Sequence, residues 1–318
     1  MTQDLIDIIL SQPEIISAPP VLIDIGASGE LHAKWKKIAK HSICIAFDAD
    51  NREMGFTEKE TDTFKKLIVF SRVVTDQSES EIDFYLTKSP YCSSALEPDT
   101  ERLKVWSFAE LFQVEKKIKL KAIHLTDALR EAKIENIDWF KTDTQGTDLR
   151  LFKSLPEKIR NNVIVAEFEP GILDAYKGED KLYEVIRYMD ELGFFLSTME
   201  VKGTQRINPK ELSYFQGFQK KAIDKCLMKS PGWAELSYIN SLKRGAFDRR
   251  AFLLTFLFAC LENQYGFACE VADEGYGVTQ DSFFLELKKK AIAEIKKNNR
   301  QWPRVMLKKA GNKIISYF

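Results

Sequence analysis

The stretch Val21-Leu22-Ile23-Asp24-Ile25-Gly26-Ala27-Ser28-Gly29-Glu30 constrains the chain more than any other. Four apolar residues, broken only by Asp24, close on glycines and run into Leu31, Trp35, Ile38 and Ala39 at helical spacing. That pattern predicts a buried parallel strand turning tightly into a helix, the junction at which α/β sheets bind ligands. Gly26 is free to take a positive φ, and without a Cβ it lets a ligand approach the backbone; the following helix would offer unpaired N–H groups. A second apolar run, Ile43-Cys44-Ile45-Ala46-Phe47, ends in Asp48. An acid at that distance from the glycine turn suits the two hydroxyls of an adenosine ribose.

The 318 residues, 44% of them apolar, are enough for one large α/β domain and an extension. Lys and Arg together number 47, as do Asp and Glu, so no global charge points to nucleic acid. Asp4 and Asp7 stand where an export signal needs a basic flank, which predicts a cytoplasmic protein. The longest apolar run, Ala251 to Leu261, is too short for the ~20 residues of a bilayer-spanning helix and reads as a buried one. Five scattered cysteines without a C-x-x-C pair suit reduced thiols rather than zinc ligands or disulfides.

In chain order, residues 1–20 predict a short helix around Leu5, Ile8 and Ile9, ended by Pro19-Pro20. Leu67 to Phe70 reads as a third strand, and Arg72 to Leu86 as a hairpin leading to the hydroxyl-rich loop Tyr91 to Pro98. Ile118 to Leu125 is strand-like, with Thr126-Asp127 placed to cap the next helix. Two further strands end near Thr142 and Glu169, bringing Asp143, Glu167 and Glu169 to carboxyl edges. Lys181 to Leu192 reads as a helix, Phe194 to Val201 as a strand and Ala222 to Met228 as the last strand. From Gly232 the spacing predicts helices, with a turn at Asp273 to Gly277. The expected domains are therefore 1–20, 21–230 and 231–318.

Several of these segments together resemble the FkbM family of S-adenosylmethionine-dependent methyltransferases. They are Leu22 to Ala27, Asp48, Val73-Val74-Thr75-Asp76, Cys92 to Leu96 and, above all, Ile137-Asp138-Trp139-Phe140-Lys141-Thr142-Asp143-Thr144-Gln145-Gly146-Thr147-Asp148-Leu149. The similarity spans roughly Val21 to Ser230, and the family's second glycine is replaced here by Glu30. The resemblance implies a class I methyltransferase fold: a Rossmann-like, seven-stranded, mostly parallel sheet with helices on both faces. It also implies methyl transfer to a hydroxyl of a saccharide or related metabolite. On that reading Asp24, Gly26, Ala27, Ser28, Gly29, Asp48, Val73 and Asp143 face S-adenosylmethionine, while Ser93, Ser94, Lys141, Gln145 and Glu167 fall on the acceptor side.

An alkyl hydroxyl is a poor nucleophile, so a group that takes its proton is expected. Asp143 is the first candidate and His124 the second. Asp143, Glu167 and Glu169 are also a candidate oxygen set for a divalent cation, with structural ion pairs as the alternative. Lys288 to Lys313 is rich in Lys and Arg, interleaved with Trp302 and aliphatic residues. Such a segment is either a solvated docking helix or a contact for an anionic membrane or acidic partner. A nicotinamide-dependent oxidoreductase would share the glycine turn and Asp48 but needs a fuller G-x-G-x-x-G, and a degenerate methyltransferase domain acting as a binding scaffold is the other alternative.

Overall fold

β1 (Val21–Ile25) is buried at every position, as a central strand covered on both faces must be. In this computed structural model, which describes residues 1–26, 32, 34–47, 63–244, 247–300 and 302, it sits near the middle of a seven-stranded sheet. The other strands of that sheet are β2 (Ile43–Phe47), β3 (Lys66–Phe70), β7 (Trp139–Thr142), β8 (Val165–Phe168), β9 (Phe194–Thr204) and β10 (Ser230–Asn240). Their order is β3-β2-β1-β7-β8-β10-β9. β10 runs antiparallel to both neighbours and the remaining pairs are parallel, so the fold is the Rossmann-like methyltransferase architecture. Strand order reverses at β1 and β7, and their carboxyl ends form the switch point where such sheets hold ligands.

Three strands leave this plan. β4 (Val73–Thr75), β5 (Glu81–Thr87) and β6 (Val114–His124) make a separate sheet in the order β4-β6-β5. The expected hairpin over 72–86 is thus corrected: β4 and β5 do not pair with each other but lie on either side of β6. The next helix, Leu125–Ala132, is capped by His124, whose Nδ1 accepts from the Thr126 N–H at 3.2 Å, and not by Thr126-Asp127.

Two further expectations fail around β10. Residues 222–226 lie in the helix Phe218–Cys226 rather than in a last strand, and the segment after Gly232, expected to be helical, is β10 itself. Residues 230–240 thus belong to the seven-stranded sheet. The reason is burial: Ala234, Leu236 and Tyr238 enter the main core at spacing two, while Ser237 on the other face is also buried between β8 and β9, so neither period dominates the sequence. After Gly26 the described residues form two short 3-10 turns, Trp35–Lys37 and Ala39–His41, with Trp35, Ile38 and Ala39 buried.

The chain divides into two units, residues 19–245 and a second one comprising residues 1–18 with 246–318. In the second, the N-terminal segment forms two helices, Gln3–Leu10 and Pro13–Ser17, because Pro13 cannot continue the first. It groups with the C-terminal helices Arg249–Leu261, Tyr265–Thr279 and Phe283–Asn299. The expected turn at 273–277 is absent, since those residues lie inside Tyr265–Thr279. A Cβ at Gly275 would stand 2.7 Å from the Phe284 ring, so that glycine serves close helix packing rather than a turn. Among the described residues no helix is long and apolar enough to cross a membrane.

Candidate active site

Gly26 begins the site. Its φ is +84°, its N–H donates to the Phe47 carbonyl at 3.2 Å, and the Asp143 N–H donates to the Ile25 carbonyl at 2.9 Å. Three strand ends are thereby drawn together. A cavity of about 590 Å³ opens beside them, lined by Gly26, Val73, Ser93, Lys141, Asp143 and Gln145 among others.

The loop after β7 is shaped by Asp148. Its buried carboxylate accepts from Thr142 Oγ1 at 3.1 Å and the Thr144 N–H at 2.9 Å, and its other oxygen accepts from the Glu169 N–H at 2.8 Å. The acid that closes the most specific sequence motif therefore joins the β7 and β8 ends. Held this way, Gln145 takes φ +58° and Gly146 φ +111°. Gln145 Nε2 then donates to Asp143 Oδ1 at 2.7 Å, and the Tyr176 hydroxyl lies 3.2 Å from Gln145 Oε1.

Asp143 and Glu169 both line the cavity and are hydrogen-bonded to each other. Burial raises the Asp143 carboxyl above its ordinary value against the pull of Lys141. Burial, then the charges of Asp143 and Asp148, pushes Glu169 up to about 9. Burial thus favours the neutral form of both carboxyls, and the pair keeps a proton near neutrality. Lys141 extends the arrangement: burial pulls its ammonium down, but Asp24 and Asp143 outweigh that and hold it charged. Its Nζ is 2.7 Å from Asp24 Oδ1.

Other expected residues are placed elsewhere. Glu167 stands opposite Lys141 in register, but its carboxylate accepts from Trp139 Nε1 at 2.8 Å and lies 3.7 Å from His32 and 3.5 Å from Lys34, away from the cavity lining. Burial raises it against the pull of Lys34 and Lys141. β8 ends at Phe168 and Pro170 follows, so Glu167 and Glu169 part company despite a spacing of two. The candidate Asp143-Glu167-Glu169 metal set is not assembled, and no group of three His, Cys, Asp or Glu side chains suited to a metal occurs among the described residues. Ser94 Oγ donates to the Gln145 carbonyl at 2.8 Å and supports the loop from behind. The Ser93 hydroxyl accepts the Thr87 N–H at 3.1 Å. His124, occupied as a helix cap, does not line the cavity. Ala27, Ser28, Gly29 and Asp48 lie outside the described residues.

An aromatic part of the lining has no counterpart among the sequence expectations. Phe84, Phe108, Phe112, Tyr176 and Trp233 line the cavity, with Phe108 and Trp233 stacked at 6.4 Å and 6°. These residues come from four separate segments, and only their aromatic character was visible beforehand.

The fold is that of a Rossmann-like methyltransferase. Residues 59–196 match the family model described as Methyltransferase FkbM domain, from just before β3 into β9 and across the whole Asp143 motif. That stretch, fewer than half of the 318 residues, is similar to the FkbM methyltransferase domain. No curated protein matches the chain.

Proposed function

We propose that the protein transfers a methyl group from S-adenosylmethionine to a hydroxyl of a saccharide or related metabolite. The observation that carries this reading is the Asp143–Glu169 pair at the switch point, beside Gly26. Two carboxyls on one cavity wall suit a cationic ligand such as a sulfonium, and would repel the pyrophosphate of a nicotinamide cofactor. When bound, S-adenosylmethionine would supply an electrophilic methyl group, its carbon–sulfur bond breaking to leave S-adenosylhomocysteine.

The chain's own residues do the rest. Gln145 and the shared proton fix the orientation of the Asp143 carboxylate, which accepts the hydroxyl proton as the new oxygen–carbon bond forms. Lys141, paired with Asp24 on β1, keeps positive charge near Asp143 and opposes the burial that raises its carboxyl. The apolar wall excludes water, and the flat faces of Phe108, Trp233 and Tyr176 suit packing against a ring-shaped acceptor.

Calorimetry separates this reading from its rivals. Binding of S-adenosylmethionine and S-adenosylhomocysteine without NAD supports it; binding of NAD alone indicates the oxidoreductase, and binding of none indicates a scaffold. Asp143→Asn is expected to lower turnover by about a hundredfold or more with the circular dichroism spectrum kept. Wild-type turnover in that variant would remove Asp143 as the base.

A further inference from the structure

We propose that residues 206–229, the excursion between β9 and β10, form a docking surface for an anionic lipid membrane. The segment leaves the sheet at Thr204 and rejoins it at Ser230, its partner across the strand pair. It is rooted in the fold: the Ser107 hydroxyl lies 2.8 Å from Thr204 Oγ1, the Ser107 N–H donates to the Gln205 carbonyl at 3.0 Å, and Leu212 is buried.

Beyond those roots five of its apolar side chains are exposed. Tyr214 is 77% exposed, Phe218 84% and Met228 92%, with Phe215 and Leu227 also exposed. Single exposed apolar residues are ordinary, but five within one excursion mark an interaction surface. The same segment carries Arg206, Lys210, Lys220, Lys221, Lys225 and Lys229 against two acids, Glu211 and Asp224. Protein interfaces are enriched in aromatics, Met and Arg but depleted in Lys. Here five of the six cations are Lys. Aromatic, Leu and Met side chains flanked by lysines are the pattern that enters the headgroup layer while ammonium groups meet lipid phosphates. This inference is independent of the methyl-transfer reading.

The test is flotation of the full chain with phosphatidylcholine vesicles, plain or containing a quarter phosphatidylglycerol, at low and high salt. The wild type is expected to float with the anionic vesicles and to be released by salt. Phe218→Ser with Met228→Ser, and separately Lys220→Glu with Lys225→Glu, should each weaken binding about tenfold or more. All these side chains are exposed, and circular dichroism verifies that the variants remain folded. Absence of flotation, equal flotation on both vesicle types, or variants that float like the wild type would overturn the proposal. So would self-association of the wild type that the apolar variant abolishes, which would give the surface to a second copy of the chain.

Discussion

At Gly26 an added Cβ would stand 2.0 Å from the Asp143 carbonyl oxygen, in a backbone whose φ is +84°. The neighbour is a hydrogen-bonded strand end and has nowhere to retreat, so Gly26→Ala is expected to cost about 3 kcal/mol or more. Chemical denaturation measures it; a loss under about 1 kcal/mol would mean that the turn relaxes. Glu169 predicts a pH dependence instead. Its folded-state value of about 9 lies above the 4.5 of a free glutamate, so the folded chain keeps a proton that the unfolded chain has lost. Stability from this group is therefore complete below about 4.5 and falls as pH rises toward about 9. Glu169→Gln keeps a donor toward Asp143 without titrating, and its melting temperature should exceed the wild type's by a few degrees, with the gap widening across that window. A constant gap between pH 5 and 9 would show that the two carboxyls do not share a proton. Glu169 was legible only as an acid near a strand end; its role depends on a neighbour 26 positions earlier in the chain, Asp143.

The loop from Asp143 to Thr147 is held by an acid outside it. Asp148 accepts hydrogen bonds from Thr142, Thr144 and the start of the Glu169 segment, and an asparagine there would turn one acceptor into a donor facing an N–H or hydroxyl. Asp148→Asn is expected to cost about 1–3 kcal/mol and, on the proposed function, to weaken S-adenosylmethionine binding, because Gln145 would no longer hold Asp143. Denaturation and calorimetry together check both effects, and unchanged cofactor affinity would separate the loop from the site. The motif from Ile137 to Leu149 was readable because strand, glycine and acids follow in a fixed order over a few residues. β10 was not, since a strand between β8 and β9 buries Ala234, Leu236 and Tyr238 on one face and Ser237 on the other, which erases the alternation that identifies a strand. The expected hairpin over 72–86 fails for a related reason: alternation identifies strands but does not name their partner, and the partner of β4 and β5 is β6, which comes later in the chain.

At the scale of the whole molecule, the second unit is made by residues far apart in sequence. Arg249 is 2.7 Å from Asp281 and 3.1 Å from Gln12 and also pairs with Glu14, tying the N-terminal helices to the C-terminal ones. Arg249→Ala strands two partly buried carboxylates and should cost about 1–3 kcal/mol in denaturation; a neutral variant would show that apolar packing alone holds this unit. The aromatic wall of the cavity is assembled in the same long-range way, from Phe84, Phe108, Tyr176 and Trp233. By itself the sequence determined the parallel strands, the glycine turn and the acids at the β7 and β8 ends. Those follow from periodicity and backbone sterics, which act over a few residues. Tertiary structure decided that Glu169 and not Glu167 meets Asp143, that His124 caps a helix, and which rings close the cavity. Each of those outcomes depends on which strand ends pack together, a choice made by burying side chains that are distant along the chain.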